Sequence, residues 1–187
     1  KDLILKIQYP KIRESIESDI NNIRLLTKNI GVLPKSFDFE KLLEAGKIQL
    51  LNETDYCLEA KHQKTFYQLL KTDKKFSVPI VNENLTTTKI LAMEYKEGIT
   101  IDQVAHLDQK TKNSVVNSLV QLAFKEIFEF NLIQTDPNFA NFLFDDTSKK
   151  IVLLDFGATS KISKKNIRVF KDILIGLALD RKEMVEK

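Results

Sequence analysis

The stretch from residue 134 to residue 157, QTDPNFANFLFDDTSKKIVLLDFG, constrains the fold more than any other part of this chain. Asp136 is followed five positions later by Asn141, and an apolar run then leads to Asp155, Phe156 and Gly157. An Asp-Pro pair alone usually marks a turn, and Asp-Phe-Gly alone could end any strand. The two motifs in this order, 19 residues apart (155 − 136) with a hydrophobic strand between them, are much harder to obtain by chance.

This order of side chains is typical of a phosphoryl-transfer site. Such a site needs a carboxylate near the attacking oxygen, and oxygen ligands that hold Mg²⁺ against the phosphates of ATP. In kinase-like folds a D-x-x-x-x-N loop followed by D-F-G supplies these groups. The sequence therefore predicts a kinase-like arrangement with ATP or ADP and Mg²⁺ as cofactors.

A kinase-like site also requires a lysine on an upstream strand, and the first residues of the chain contain one. In LILKIQYP the apolar residues alternate, and Lys6 lies on the face opposite Leu3, Leu5 and Ile7. A lone lysine at such a position is more often a solvated edge residue. Its helix partner would be Glu53 or Glu59, although these two could equally be surface charges paired with nearby lysines.

Five segments extend the pattern over nearly the whole chain, and together they resemble the UbiB/aarF-type atypical kinase family. The catalytic loop, with Gln134 and Thr135 before Asp136, is more similar to the mitochondrial coenzyme Q branch than to the bacterial and plastid members. The segments are KIQYP at 6–10, ESIESDINNI at 14–23, ETDYCLEA at 53–60, QTDPNFANF at 134–142 and LLDFGAT at 153–159.

The resemblance implies a role for each site residue. Lys6 takes the position of the lysine that binds the nucleotide phosphates, and Glu53, 47 residues later (53 − 6), that of its helix partner. Asp136 takes the catalytic position, while Asn141 and Asp155 take the metal positions.

The resemblance also implies a cellular context. It predicts support of coenzyme Q (ubiquinone) biosynthesis on the matrix side of the mitochondrial inner membrane, with peripheral membrane association. The expected partners are a nucleotide, a lipid or quinone-pathway small molecule and other coenzyme Q biosynthesis proteins, and no nucleic acid.

The expected fold is α+β, a protein-kinase-like two-lobed domain of which this chain is a fragment. Residues 1–95 would form the small lobe from the lysine strand onward, and residues 96–187 the large lobe with the catalytic and metal-binding loops. The first small-lobe strands and the N-terminal extension of the family have no counterpart here. Glu94 and Tyr95 begin the segment that joins the lobes, where backbone groups would contact adenine.

Periodicity predicts the main elements. We expect helices over Lys11–Lys28, Phe39–Leu70 and Asp108–Asn131, and strands over Val78–Val81 and Lys89–Tyr95. Within the long second helix, Glu53 and Glu59 would lie on one side together with Tyr56 and Ala60.

Composition excludes several other classes. The formal net charge of +3 is too small to indicate a nucleic-acid-binding protein. A single cysteine, Cys57, which we expect to be buried, excludes an internal disulfide and a multi-cysteine zinc site. The two histidines, His62 and His106, form no evident pair and are expected at the surface. No run approaches the ~18 apolar residues of a membrane span.

Two alternative functions stay open from the sequence. An aminoglycoside- or choline-type phosphotransferase shares the D-x-x-x-x-N loop, but it usually has His where this chain has Gln134. A catalytically silent nucleotide-binding scaffold would need none of the catalytic residues that are present. Thr135 in place of the usual Arg, and the lack of an A-P-E motif after Gly157, favour a small-molecule or lipid substrate, or ATP hydrolysis, over a protein substrate.

Overall fold

The computed structural model describes residues 2–30, 38–136 and 138–180. It divides the chain into two compact units. The first unit comprises Lys1–Glu97 and Val152–Ala158, and the second comprises Gly98–Ile151 and Thr159–Lys187. A seven-residue segment that contains the Asp-Phe-Gly motif thus belongs with the N-terminal part of the chain.

The first unit is built around strand β3 (Ile90–Glu94), whose central residues Leu91 and Ala92 are fully buried. Strand β1 (Leu3–Ile7) pairs with β3 in antiparallel register, so that Lys6 lies opposite Leu91. The short strand β2 (Phe76–Ser77) precedes a single bridge between Val81 and Met93. The predicted strand over Lys89–Tyr95 is confirmed, whereas Val78–Val81 contributes only that bridge.

Three helices complete the first unit: α1 (Ile12–Ile30), α2 (Phe39–Glu53) and α3 (Tyr56–Leu70). Helix α3 lies against β3. It buries one face, formed by Tyr56, Glu59, Ala60, Gln63, Phe66 and Leu70. These positions recur at intervals of three and four residues, the period of one face of an α-helix. The face toward β3 is therefore the one that carries Glu59.

The single helix expected over Phe39–Leu70 is two helices. Helix α2 ends at Glu53, and Asp55 caps α3 by accepting hydrogen bonds from the backbone N–H groups of Cys57 (3.0 Å) and Leu58 (3.2 Å). An Asp that bonds the first free N–H groups of a helix stabilises a new start at that point. Cys57, expected to be buried, is exposed on this first turn.

The second unit contains the long helix α5 (Gln109–Lys125), which begins after Asp108 as predicted. The Asp108 side chain accepts from Thr111 N–H, and a π-helical segment (Glu126–Phe130) continues α5 until Asn131 adopts a left-handed conformation. A short helix, α4 (Ile101–Val104), precedes α5, and α6 (Lys164–Ala178) follows the last strand.

Short antiparallel strand pairs lie in the second unit. Strand β4 (Ile99–Thr100) pairs with β6 (Phe142–Asp145), and β5 (Leu132–Gln134) pairs with β8 (Thr159–Lys161). A Cβ atom on Gly98 would lie 2.8 Å from the Cβ atom of Leu143, so this close approach of β4 to β6 requires glycine. Strand β7 (Lys150–Leu153) continues from the second unit into the first.

The mixed α+β class expected from the sequence is confirmed. Across residues 2–30, 38–136 and 138–180, none of the helices has the length and apolar character needed to span a bilayer.

Candidate active site

Lys6 joins two carboxylates in the first unit. Its Nζ atom lies 2.9 Å and 3.0 Å from the two carboxylate oxygens of Glu59, and 3.0 Å from Oδ2 of Asp155. It also lies 5.3 Å from the ring centroid of Tyr56, in cation–π range. The strand alternation that sets Lys6 opposite the apolar face of β1 thus directs it toward helix α3 and the Asp-Phe-Gly segment. We call Lys6, Glu59 and Asp155 the lysine triad.

The sequence predicted Glu53 as the helix partner of Lys6, and this prediction is wrong. Its side chain accepts a hydrogen bond from Gln49 of α2 (3.3 Å), and Glu59 forms the ion pair instead. The reason is the break between the helices: Glu53 is the last residue of α2, while Glu59 lies on the first turn of α3, on the face against β3. The two glutamates therefore do not share one helical face.

Burial and neighbouring charges change the pKa values of Lys6 and Glu59. Burial is the largest effect on Lys6 and lowers its pKa, but the carboxylates of Glu59 and Asp155 outweigh it and raise the pKa. Burial raises the pKa of Glu59, which is 1% exposed. Repulsion from Asp155 raises this pKa further, and the attraction of Lys6 opposes the rise. One ammonium thus faces two carboxylates, a cluster with surplus negative charge.

The segment that carries Asp155 is fixed by its neighbours. The Gly157 N–H donates to Oδ1 of Asp155 (2.9 Å), and a Cβ atom at Gly157 would crowd that oxygen at 3.3 Å. Phe156 is buried with its ring centroid 5.0 Å from that of Phe66 on α3. Nδ1 of His62 lies 3.2 Å from the Phe156 carbonyl oxygen.

His62 and Phe66 were not predicted to contribute to the site. His62, expected at the surface, is half-buried and contacts the segment that carries the predicted metal ligand. Their spacing from Glu59, three and seven residues later on α3, was the available signal, because residues at i+3 and i+7 share a helical face.

The amides of the two predicted adenine-binding residues are both engaged within the first unit. The N–H of Glu94 donates to the Ile80 carbonyl (2.8 Å), and that of Tyr95 donates to the Asp2 carbonyl (3.0 Å). The Glu94 carboxylate pairs with Lys96 at 3.1 Å. An adenine edge would therefore find no N–H donor from the backbone of Glu94 or Tyr95.

The predicted catalytic loop lies in the second unit, between β5 and β6. Asp136 is exposed; the neighbouring Pro137 is outside the described residues. A short 3₁₀ turn (Phe139–Asn141) follows, in which the Asn138 side chain accepts from the Ala140 N–H (3.0 Å). The Asn141 N–H bonds the Asn138 carbonyl (3.0 Å), so the half-buried Asn141 is held at the end of a defined turn.

Three phenylalanines lie in and directly after this 3₁₀ turn, and two of them are buried. Phe142 and Phe144, at alternate positions of β6, are buried, whereas Phe139 is 57% exposed.

The donor set fits a metal that is bound together with phosphates. Within residues 2–30, 38–136 and 138–180, no three His, Cys, Asp or Glu side chains cluster in a way that could hold a metal ion by themselves. Mg²⁺ is commonly held by one or two protein oxygens plus substrate phosphates rather than by a full protein cage. Asp155, with Oδ2 already beside a cation and surplus negative charge nearby, is suited to that type of site.

Comparison with known proteins places these residues in a family context. The whole chain, residues 1–187, matches the sequence model of the ABC1 atypical kinase-like domain. It is 43% identical over 158 residues to the mitochondrial atypical kinase COQ8B of Danio rerio, a match that covers 84% of this chain and 25% of the relative. It is 38% identical over 185 residues to the mitochondrial atypical kinase COQ8 of Saccharomyces cerevisiae, covering 98% of this chain and 37% of that protein.

The chain therefore spans only about a quarter to two-fifths of these relatives. Their names agree with the mitochondrial location expected from the sequence. Among solved structures, the complex of Rv3197 with erythromycin from Mycobacterium tuberculosis has a similar fold. Its TM-score is 0.74 at 21% identity, and the match covers 96% of this chain and 48% of that one. The expected kinase-like fold is confirmed by the match to the ABC1 atypical kinase-like domain.

Proposed function

Because the chain belongs to the ABC1 atypical kinase-like family, we propose that the protein from which it comes is an ATP-dependent phosphotransferase or ATPase that supports coenzyme Q biosynthesis. We propose further that it acts on the matrix side of the mitochondrial inner membrane, on or with a lipid or quinone-pathway molecule. The observation that carries the proposal is the lysine triad, in which Lys6 lies within 3.0 Å of both Glu59 and Asp155.

Lys6 would neutralise phosphate oxygens of the nucleotide. Glu59 is positioned to hold it for that purpose, since both of its carboxylate oxygens accept from the Lys6 ammonium. A lysine paired with a helix glutamate is how kinases keep an ammonium in place beside the phosphates. The raised pKa of Lys6 keeps it charged at neutral pH, as this role requires.

Asp155 and Asn141 would hold Mg²⁺, which supplies neutralisation of the charge that develops on the phosphate oxygens. Asp136 would orient the attacking hydroxyl or water and accept its proton. Its exposed position, two residues after β5, leaves the carboxylate accessible to a substrate. The Glu94–Tyr95 segment would contact the adenine through groups other than its two engaged amides.

A measurement of Mg-ATP binding and turnover on the full-length protein, with and without a quinone-like lipid, tests this proposal. Replacing Asp155 with Asn removes a metal-binding charge at constant size, so Mg²⁺-dependent binding weakens and turnover is lost. Replacing Asp136 with Asn spares the metal ligands, so binding persists while turnover falls by a factor on the order of 10²–10⁴.

Complementation distinguishes the enzyme from a silent scaffold. In cells that lack the protein, the enzyme proposal expects neither variant to restore respiratory growth or coenzyme Q content. Full rescue by both variants would favour the scaffold. A match to the ABC1 model over all 187 residues weighs against the aminoglycoside- or choline-type alternative.

A further inference from the structure

Glu126 is a buried carboxylate in the second unit that the proposed chemistry does not use. It begins the π-helical segment after α5 and is 5% exposed. Its Oε2 atom accepts a hydrogen bond from the backbone N–H of Gln134 at 3.1 Å. π-Helical turns are rare and are found frequently at functional sites, because the extra residue redirects a side chain.

The surroundings of Glu126 give its charge little compensation. It lies at a cavity of 510 Å³ whose lining is mostly apolar and includes Leu119, Leu122, Ala123, Ile133, Phe139 and Phe142. Among the described residues, no charged group from α5, β5, β6 or the 3₁₀ turn lines this cavity besides Glu126 itself. Burial raises the pKa of Glu126 to about 7, and the hydrogen bond from Gln134 offsets only part of that rise.

A buried charge that lacks a cation partner costs stability. The presence of a carboxylate at this position therefore has to be explained by something other than stability. A neutral side chain of the same length would fill the same space without that cost.

The hydrogen bond from Gln134 supplies such a reason. Gln134 is the last residue of β5, opposite Thr159 of β8, and Asp136 follows two residues later. At this strand end the Gln134 N–H is bound by the Glu126 side chain. The Nε2 atom of Gln134 is buried without a hydrogen-bond partner among the described residues, so this side-chain atom adds no such anchor. The Glu126 carboxylate therefore holds the Gln134 N–H at the strand end from which the catalytic loop departs.

We propose that Glu126 is a positioning residue: its carboxylate holds the backbone of Gln134 and thereby determines where the loop presents Asp136. A charged acceptor forms a stronger hydrogen bond than a neutral one. The ionised form of Glu126 therefore holds the loop more firmly than the protonated form. The catalytic consequence rests on the function proposed above, while the contact itself can be tested without turnover.

The first experiment measures amide hydrogen exchange in full-length protein labelled with ¹⁵N-glutamine. In Glu126→Gln the protection of the Gln134 amide falls by about tenfold, as expected when a bond to a charged acceptor becomes a neutral one. Glu129→Gln is the matched control, because Glu129 lies in the same π-helical segment but is exposed. Unchanged protection in Glu126→Gln would overturn the proposal, whether or not the protein turns over ATP.

The second experiment measures turnover of the same proteins between pH 5.5 and pH 8.5. In the wild type and in Glu129→Gln, kcat rises through an ionisation near neutral pH. In Glu126→Gln this ionisation disappears, and kcat falls about tenfold while KM for ATP changes less than twofold.

An equal kcat and an unchanged pH profile in Glu126→Gln would also overturn the proposal. A wild type without turnover would refute the proposed enzymatic function alone. Amide hydrogen exchange of Gln134 would then show by itself whether Glu126 positions the loop.

Discussion

At the scale of single residues, the lysine triad has one more negative charge than positive. Lys6 is therefore shared: its Nζ atom is as close to Asp155 (3.0 Å) as to Oε2 of Glu59 (3.0 Å). A divalent cation near Asp155 would add the missing positive charge. Glu59 then becomes the residue that retains Lys6, because it keeps both of its oxygens on the ammonium.

Replacing Glu59 with Gln tests that assignment. Asp155 would be left as the carboxylate that holds Lys6, so Mg²⁺ would compete with the lysine for Asp155. We expect the Kd for Mg-ATP of the full-length protein to rise by about tenfold or more, the value of a hydrogen bond to a charged group. Glu53→Gln is the control, since Glu53 contacts Gln49, and its Kd is expected to stay within twofold. A larger effect of Glu53→Gln than of Glu59→Gln would restore the assignment made from the sequence.

Replacing Glu126 with Gln is expected to lower turnover but to raise stability above neutral pH. Its folded-state pKa of about 7 lies above the ordinary value of 4.5, so the folded protein holds this proton more tightly. The contribution of Glu126 to the free energy of unfolding is thus largest below pH 4.5 and declines as the pH rises through 7, by about 3 kcal/mol in all. We expect Glu126→Gln to be more stable than the wild type at pH 8 and to differ little at pH 5.

Chemical unfolding of the two proteins at both pH values measures this difference. A variant that is less stable at pH 8 would show that the carboxylate contributes more to folding than its burial costs.

At the scale of elements, the start of α3 decides which glutamate meets Lys6. Counting along a continuous helix from Phe39 to Leu70 sets Glu53 and Glu59 on one side. The chain instead starts a new helix after the cap residue Asp55, so the positions in α3 do not continue the helical periodicity of α2. The signal was present in the sequence, because Thr54 and Asp55 are residue types that favour a helix start. Apolar periodicity alone did not reveal it, since both helices carry apolar residues at helical spacing.

Removing the cap is expected to destabilise the first unit. In Asp55→Ala the N–H groups of Cys57 and Leu58 lose their acceptor, which costs about 1 kcal/mol. Lys61→Ala, at an exposed position of the same helix, is the control and is expected to change stability by less than about 0.5 kcal/mol. Thermal unfolding of both variants measures the difference. Equal melting temperatures would show that α3 starts without the help of Asp55.

At the scale of the whole molecule, sequence was most informative where one motif fixes one local structure. Asp108 begins α5 as expected, and the hydrophobic strand expected before Asp155 is β7 (Lys150–Leu153). Contacts between distant segments were harder to predict. The approach of His62 to Phe156 joins residues 94 positions apart, and no local pattern encodes it. The same holds for Glu126 and Gln134, whose contact depends on how a π-helical segment turns one side chain.

The predicted metal ligands belong to different units, Asn141 to the second and Asp155 to the first. The proposed function assigns both residues to Mg²⁺, which protein oxygens bind at ~2.0–2.1 Å. With Mn²⁺ and a non-hydrolysable ATP analogue bound to the full-length protein, we expect paramagnetic broadening of both the Asn141 side-chain amide and the Gly157 backbone amide. The complex with diamagnetic Mg²⁺ in place of Mn²⁺ is the reference, in which both resonances should stay sharp. If only one of the two resonances broadens, the other residue is not a metal ligand, and the proposed metal site loses one of its two protein ligands.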